Sequence, residues 1–159
     1  MNKLAWYISL AITLFGFFMI RYFFTLTPDE PLKSLNPAFL PLIFGVPFLL
    51  LSLFISFIIG SHYFHDCTAK RMWQYVGILA LVIVVASYLT YVQIDSDITA
   101  FGGTTTDAKS TIYGLPVWNS YTNGWFVNEM TFFVLHTIAF GCGFFKRKSA
   151  PIETEETDV

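Results

Sequence analysis

Four long apolar segments constrain this chain more than any other feature of its sequence. They run over residues 4–26, 38–60, 72–94 and 125–145. Each is apolar around its whole circumference, and about 20 residues suffice to cross about 30 Å of hydrocarbon at about 1.5 Å per residue. Because an open-ended segment in lipid satisfies its own backbone hydrogen bonds only as a helix, each is predicted to be a transmembrane α-helix.

Composition agrees with a membrane protein rather than a soluble one. Only 13% of the 159 residues are charged, whereas soluble chains are about one-quarter charged. The first segment is also longer than the apolar part of a signal peptide, so it is expected to be retained. We therefore predict an all-α integral membrane protein, with a four-helix transmembrane domain over residues 1–148. The acidic residues 149–159 are expected to form a disordered cytoplasmic tail.

Basic residues fall mostly at one end of the four segments. That end holds Lys3, Lys70, Arg71, Lys146, Arg147 and Lys148. In the connections at the other end there are only Lys33 and Lys109. Because basic connections stay in the cytoplasm, both termini and residues 60–71 are predicted to be cytoplasmic. The loop over residues 95–124, between the third and fourth helices, then faces outward.

This outward loop is the one long connection in the chain. The β-prone run Thr104–Thr106 predicts a short hairpin lying on the membrane. Aromatic side chains follow in the loop and at the start of the fourth helix, where amphipathic rings rest at the headgroup level and offer an interface. They are Tyr113, Trp118, Tyr121 and Trp125.

Within the spans, Arg21, Glu129 and His136 are the ionisable residues that point to function, since burying such groups in lipid is costly. Arg21 and Glu129 lie about one turn from the outward ends of antiparallel helices, so their depths match. They are predicted either to form an ion pair or to reach the headgroups separately.

His136 lies close to the membrane midplane, on the same face of the fourth helix as Glu129. One interpretation is a proton or ion relay that leads from Glu129 to His136. The other, which we favour, is a neutral histidine that binds a hydroxyl of Thr13, Ser52 or Ser87 and fixes helix packing.

A cluster of metal-ligating types lies in the cytoplasmic connection. It consists of His62, His65, Asp66 and Cys67. Such groups can hold zinc, but the Cys-x-x-Cys and His-x-x-x-His spacings are absent. Headgroup contacts are the favoured interpretation, and no cofactor is expected.

Small residues within the spans predict close helix approach, and Pro47 predicts a kink in the second helix. The small residues are Gly77, Ala80, Ala86, Ser87, Ala139, Gly141 and Gly143.

The sequence contains no complete catalytic motif, so an enzyme is not expected. The favoured function is an accessory, regulatory or inhibitory subunit that binds another membrane protein or a second copy of itself. A narrower member of this class is an immunity protein against a pore-forming bacteriocin. The alternative is a small oligomeric channel or proton-linked transporter that uses Arg21, Glu129 and His136. The net charge of −2 gives no support for nucleic acid as a partner. Short loops favour the bacterial inner membrane.

Overall fold

The computed structural model describes residues 3–32, 35–65 and 67–146, and within them the chain is helical without any strand. The helices are α1 (Lys3–Phe23), α2 (Phe39–His65), α3 (Ala69–Ala100), α4 (Asn123–Phe126) and α5 (Glu129–Cys142). A 3-10 turn over Gly143–Lys146 ends the described chain. Four helical segments are long and apolar enough to cross a membrane, the fourth being α4 and α5 together with the 3-10 turn.

A long apolar helical segment lies at each of the four predicted positions, but α2 and α3 extend further than predicted. α2 continues past Gly60 to His65, and α3 continues through the start of the predicted loop to Ala100. Polar side chains end the apolar run at both places without breaking a helix, because residues 61–65 and 95–100 contain no glycine or proline.

The predicted fourth span of 125–145 is not one continuous helix, which corrects the sequence-based prediction. The helix is interrupted at Val127 and Asn128, and Asn128 then caps α5. Its side chain accepts hydrogen bonds from the backbone N–H groups of Met130 and Thr131, while the Thr131 hydroxyl accepts one from the Asn128 N–H. This capping box starts a new helix at Glu129.

Helix α5 is the centre of the packing. It lies against both α2 and α3, while α1 packs mainly on α2. Gly60 of α2 faces the backbone of Phe140, and Gly143 faces Gly60 and Ser61, so closely that no Cβ atom fits at either glycine. Because neither glycine carries a side chain, the backbone of α2 approaches the backbone of residues 140–143 closely.

Two apolar clusters hold the fold. The larger one lies between the helices and consists of Phe17, Ile20, Ala38, Val127 and Phe132. The smaller one lies outside the long helices and consists of Leu26, Phe101, Ile112 and Tyr121. Residues 101–122, which we name the cap, fold around this second cluster. The long connection is thus an ordered structure.

The cap does not contain the predicted hairpin. Gly102 and Gly103 adopt positive φ angles of 73° and 138° and turn the chain sharply after α3. Asp107 then accepts hydrogen bonds from the backbone N–H and hydroxyl of Thr104, at 2.6 and 2.7 Å. These local bonds stabilise a turn where the threonines alone suggested a strand. They also lower the pKa of the Asp107 carboxyl, because the hydrogen bonds favour its charged form.

Some sequence-based predictions lie outside the described residues. They concern Lys33, Asp66, Arg147, Lys148 and the tail over residues 149–159.

Candidate functional site

Arg21 and Glu129 form an ion pair between the last turn of α1 and the first turn of α5. Their side chains are only 20% and 23% exposed, and Tyr22 adds a 3.3 Å hydrogen bond from its hydroxyl to the same carboxylate oxygen. The pairing predicted from matched depth is therefore present. A carboxylate at the N-terminus of α5 also interacts favourably with the helix dipole.

A cleft of about 290 Å³ adjoins this pair between α1, α3 and the cap. Gln93 and Asp97 line it from α3. The Trp125 indole donates a 2.9 Å hydrogen bond to Asp97, so the polar end of α3 is tied to α4. Arg21 of α1 and Asp97 of α3 thus face the same cleft near the cap.

His136 of α5 is buried against α2, and the residue is 7% exposed. Nδ1 lies 2.9 Å from the Phe132 carbonyl, which can only accept, so Nδ1 carries the proton. Nε2 lies 3.0 Å from the Ser52 hydroxyl and accepts from it in the neutral ring. Of the three predicted partners, Ser52 is the one in contact. Thr13 instead donates to the Ser9 carbonyl, and Ser87 lies exposed on α3.

Apolar rings occupy α5 between Glu129 and His136. Phe132 lies one turn from each, and its ring centroid is 4.1 Å from that of His136. Phe17 of α1 packs edge-on against Phe132 at 5.9 Å. Along this part of the described chain, aromatic side chains therefore separate the ion pair from the histidine.

Polar contacts between α1 and α2 on the half of the helices away from the cap were not predicted from the sequence. Trp6 donates a 2.9 Å hydrogen bond to the buried Ser56 hydroxyl. The Ser52 hydroxyl, one turn closer to the cap, lies 3.4 Å from that of Ser9. The spacing of Ser52 and Ser56 at i and i+4 was the available signal, since it puts both on one helix face.

Asn123 is the most highly bonded side chain near the cap and was also missed. It is fully buried, and it exchanges amide hydrogen bonds of 2.9 and 2.8 Å with Asn36. It further donates to the Phe24 carbonyl and accepts from the Trp118 indole, both at 2.9 Å. No periodic pattern marks such a residue, because its partners Asn36 and Phe24 are 87 and 99 positions away in sequence.

The four aromatic residues predicted to form an outer interface differ in their exposure. Tyr113 and Trp118 are exposed, at 57% and 46%. Tyr121 is buried in the cap cluster and donates to the Glu30 carbonyl at 2.7 Å, so its ring is not on the surface. Trp125 is partly buried against Asp97. Only the first two retain the predicted surface position.

The histidines of the predicted metal cluster lie exposed near the end of α2. His62 and His65 are one turn apart, and Cys67 follows in the connection to α3. Over the described ranges, which leave out Asp66, no three His, Cys, Asp or Glu side chains converge on a metal position.

Comparison of this chain with known protein families, with curated proteins and with solved structures finds no match. The geometry defines a chain with four apolar helical segments and an ordered cap. Several of its buried polar groups bond across helices or to the α1–α2 connection, namely Ser52, Ser56, Asn123 and His136. These bonds hold α1, α2 and α5 in fixed positions.

Proposed function

We propose that this chain is a multi-pass membrane protein without catalytic activity that binds another membrane protein as an accessory, regulatory or inhibitory subunit. One observation supports this most. The ionisable groups placed among the helices are engaged inside the chain: Arg21 binds Glu129, and His136 is bonded to Ser52 and to the Phe132 carbonyl. Groups that are bonded to one another across helices contribute to helix association, which supports a structural role for them.

The exposed surface of α3 supports a partner within the membrane. This helix packs mainly on α5, and most of its apolar side chains remain exposed. They include a stripe with alternating spacings of three and four residues, which is the spacing that faces a neighbouring helix. The stripe consists of Leu81, Val84, Tyr88 and Tyr91.

We place the termini in the cytoplasm and the cap outside, in a bacterial inner membrane. Trp6 packs against Phe140, and Tyr63 packs against Tyr75, so the ends of the bundle far from the cap lie together. Lys3, Lys70, Arg71 and Lys146 all belong to that end. The positive-inside rule supports a cytoplasmic position for it. An immunity protein against a pore-forming bacteriocin is the narrower form of this proposal.

The test is photocrosslinking in native membranes from a reactive residue at position 84 on the α3 stripe. Phe18, which is 43% exposed on α1, provides the control position. We expect a stoichiometric partner that crosslinks from position 84 and copurifies with the chain, and no such product from position 18. A chain that purifies alone, gives no product from position 84 and conducts ions in liposomes would contradict the proposal.

A proton-linked transporter is the second candidate, and one observation favours it. A relay from Glu129 through His136 needs further polar groups beyond the histidine, and Ser52 of α2 and Ser9 of α1 supply hydroxyls there. Phe132 and Phe17 oppose it, since they separate His136 from Glu129. Proton uptake by liposomes that is abolished by His136→Ala would favour the transporter.

A further inference from the structure

An apolar groove of about 580 Å³ runs between α1 and α2 on the half of the helices nearest the cap. Its volume is within the range of about 300–1,000 Å³ that is typical of small-molecule sites. Gly16 of α1 and Gly45 of α2 both line it, and an added Cβ atom at either glycine meets nothing within 4 Å. Trp118 of the cap and Phe126 of α4 close its outer end.

The polar atoms along the groove are already engaged. Thr13 donates to the Ser9 carbonyl at 2.8 Å, and the Trp118 indole donates to Asn123 at 2.9 Å. The other lining residues are apolar. A polar ligand would find no partner there, and its burial would cost free energy. The groove therefore fits a hydrocarbon chain.

The groove is held open at both ends. Near the cap, Asn123 binds both Asn36 before α2 and the Phe24 carbonyl after α1. At the opposite end, Trp6 of α1 binds Ser56 of α2. The outer halves of α1 and α2 are thus fixed at a distance, and a filled groove is favoured over an empty one because a void loses dispersion contacts.

The length of the groove indicates whether an acyl chain or a partner helix occupies it. On α1 it extends from Ile12 to Phe24, or about 18 Å at about 1.5 Å per residue. One leaflet contributes about 15 Å of hydrocarbon, half of the about 30 Å core. A partner helix would cross both leaflets and need a groove of the full length. An acyl chain of one leaflet ends where this groove ends.

We propose that this groove binds one acyl chain of a phospholipid from the leaflet next to the cap. The proposal rests on the membrane-spanning part of the proposed function. It gives α1 and α2 a lipid-binding role that is separate from the α3 stripe.

The first experiment titrates palmitoyl-oleoyl phosphatidylcholine into delipidated protein in detergent, with native mass spectrometry as the readout. Gly16→Leu and Gly45→Leu fill the groove from opposite walls. Gly77→Leu is the matched control, because an added Cβ atom at this glycine of α3 also meets nothing within 4 Å. We expect one lipid bound to the wild type and the control, and at least tenfold weaker binding by both groove variants. Equal binding by all four proteins, or no binding by the wild type, would overturn the proposal.

A second experiment does not depend on the glycine variants. One equivalent of phosphatidylcholine with a brominated acyl chain should quench part of the tryptophan fluorescence in detergent. We expect Trp118→Phe to remove this quenching and Trp73→Phe, on the exposed face of α3, to retain it. Quenching that is unchanged in Trp118→Phe would exclude the groove.

Alkaline carbonate extraction of membranes separates the two proposals. If the chain stays in the membrane but shows neither lipid binding nor quenching, only the proposed lipid site is ruled out. If carbonate releases the chain, the proposal that it spans the membrane is ruled out.

Discussion

Glu129 shows how a single residue can join distant parts of this chain. It begins α5 and binds Arg21, which is 108 positions earlier in sequence. The pair could be predicted because both residues are ionisable, both interrupt apolar segments, and their depths match when helices alternate in direction. One carboxylate oxygen, Oε2, is buried and accepts no hydrogen bond from the described residues. Loss of Arg21 would therefore leave a poorly compensated charge.

We expect Arg21→Met to lower the free energy of unfolding by about 1–3 kcal/mol, as for other buried polar groups that lose a partner. The double variant Arg21→Met with Glu129→Met should be more stable than Arg21→Met alone, because it leaves no unpaired charge. Lys109→Met is the control, since Lys109 is an exposed cation of the cap. Denaturant titration in detergent measures all three. A double variant that is no more stable than Arg21→Met would contradict this interpretation.

Asn123 represents the residues that sequence reasoning could not find. Its amide is fully buried and joins the α1–α2 connection to the cap. We expect Asn123→Ala to lower the free energy of unfolding by about 2–3 kcal/mol, because several buried partners lose their bonds at once. Thr111→Ala, at an exposed cap position, should change it by less than about 0.5 kcal/mol. Thermal unfolding compares the stability of the two variants. Equal stability would show that the hydrogen bonds of the Asn123 amide do not stabilise the fold.

At the scale of the helices, the sequence predicted the number of long elements correctly and their ends less well. Apolar content marks where a helix can lie in hydrocarbon, but a helix ends where its backbone chemistry changes. α3 therefore continues past Asp95 and Asp97 to Ala100, while α5 begins where Asn128 caps it. Small residues were predicted to allow close packing, and Gly143 does so. Gly77 does not, and Gly60 was missed because its role depends on which helix faces it.

This difference between glycines gives a prediction about helix packing. Gly60→Ala should lower the free energy of unfolding by at least about 1–3 kcal/mol, because the new Cβ atom meets the backbone carbonyl of Phe140, which cannot move aside easily. Gly77→Ala should be neutral or raise it by up to about 1 kcal/mol, since alanine is the better helix former and the space is open. Thermal unfolding in detergent compares the two. A Gly60→Ala protein as stable as the wild type would contradict the close approach of α2 and α5.

At the scale of the whole molecule, the bundle and the cap differ in how far sequence predicts them. Four apolar segments fix the bundle because hydrophobicity is a local property of the chain. The cap depends on contacts between distant segments, such as Tyr121 with Glu30 and Leu26 with Ser120. No repeated spacing in the sequence indicates these contacts. An ordered cap was therefore not predicted, and a hairpin was predicted in its place.

Cysteine labelling tests the central proposal most directly, namely that four helices cross the membrane and leave the cap and Cys67 on opposite faces. Two proteins are needed. One retains Cys67 with Cys142→Ser, and the other carries Lys109→Cys in the cap with both native cysteines replaced by serine. A membrane-impermeant maleimide applied to intact cells should label position 109, and Cys67 only after the membrane is permeabilised. Labelling of both positions from the same side would contradict the account.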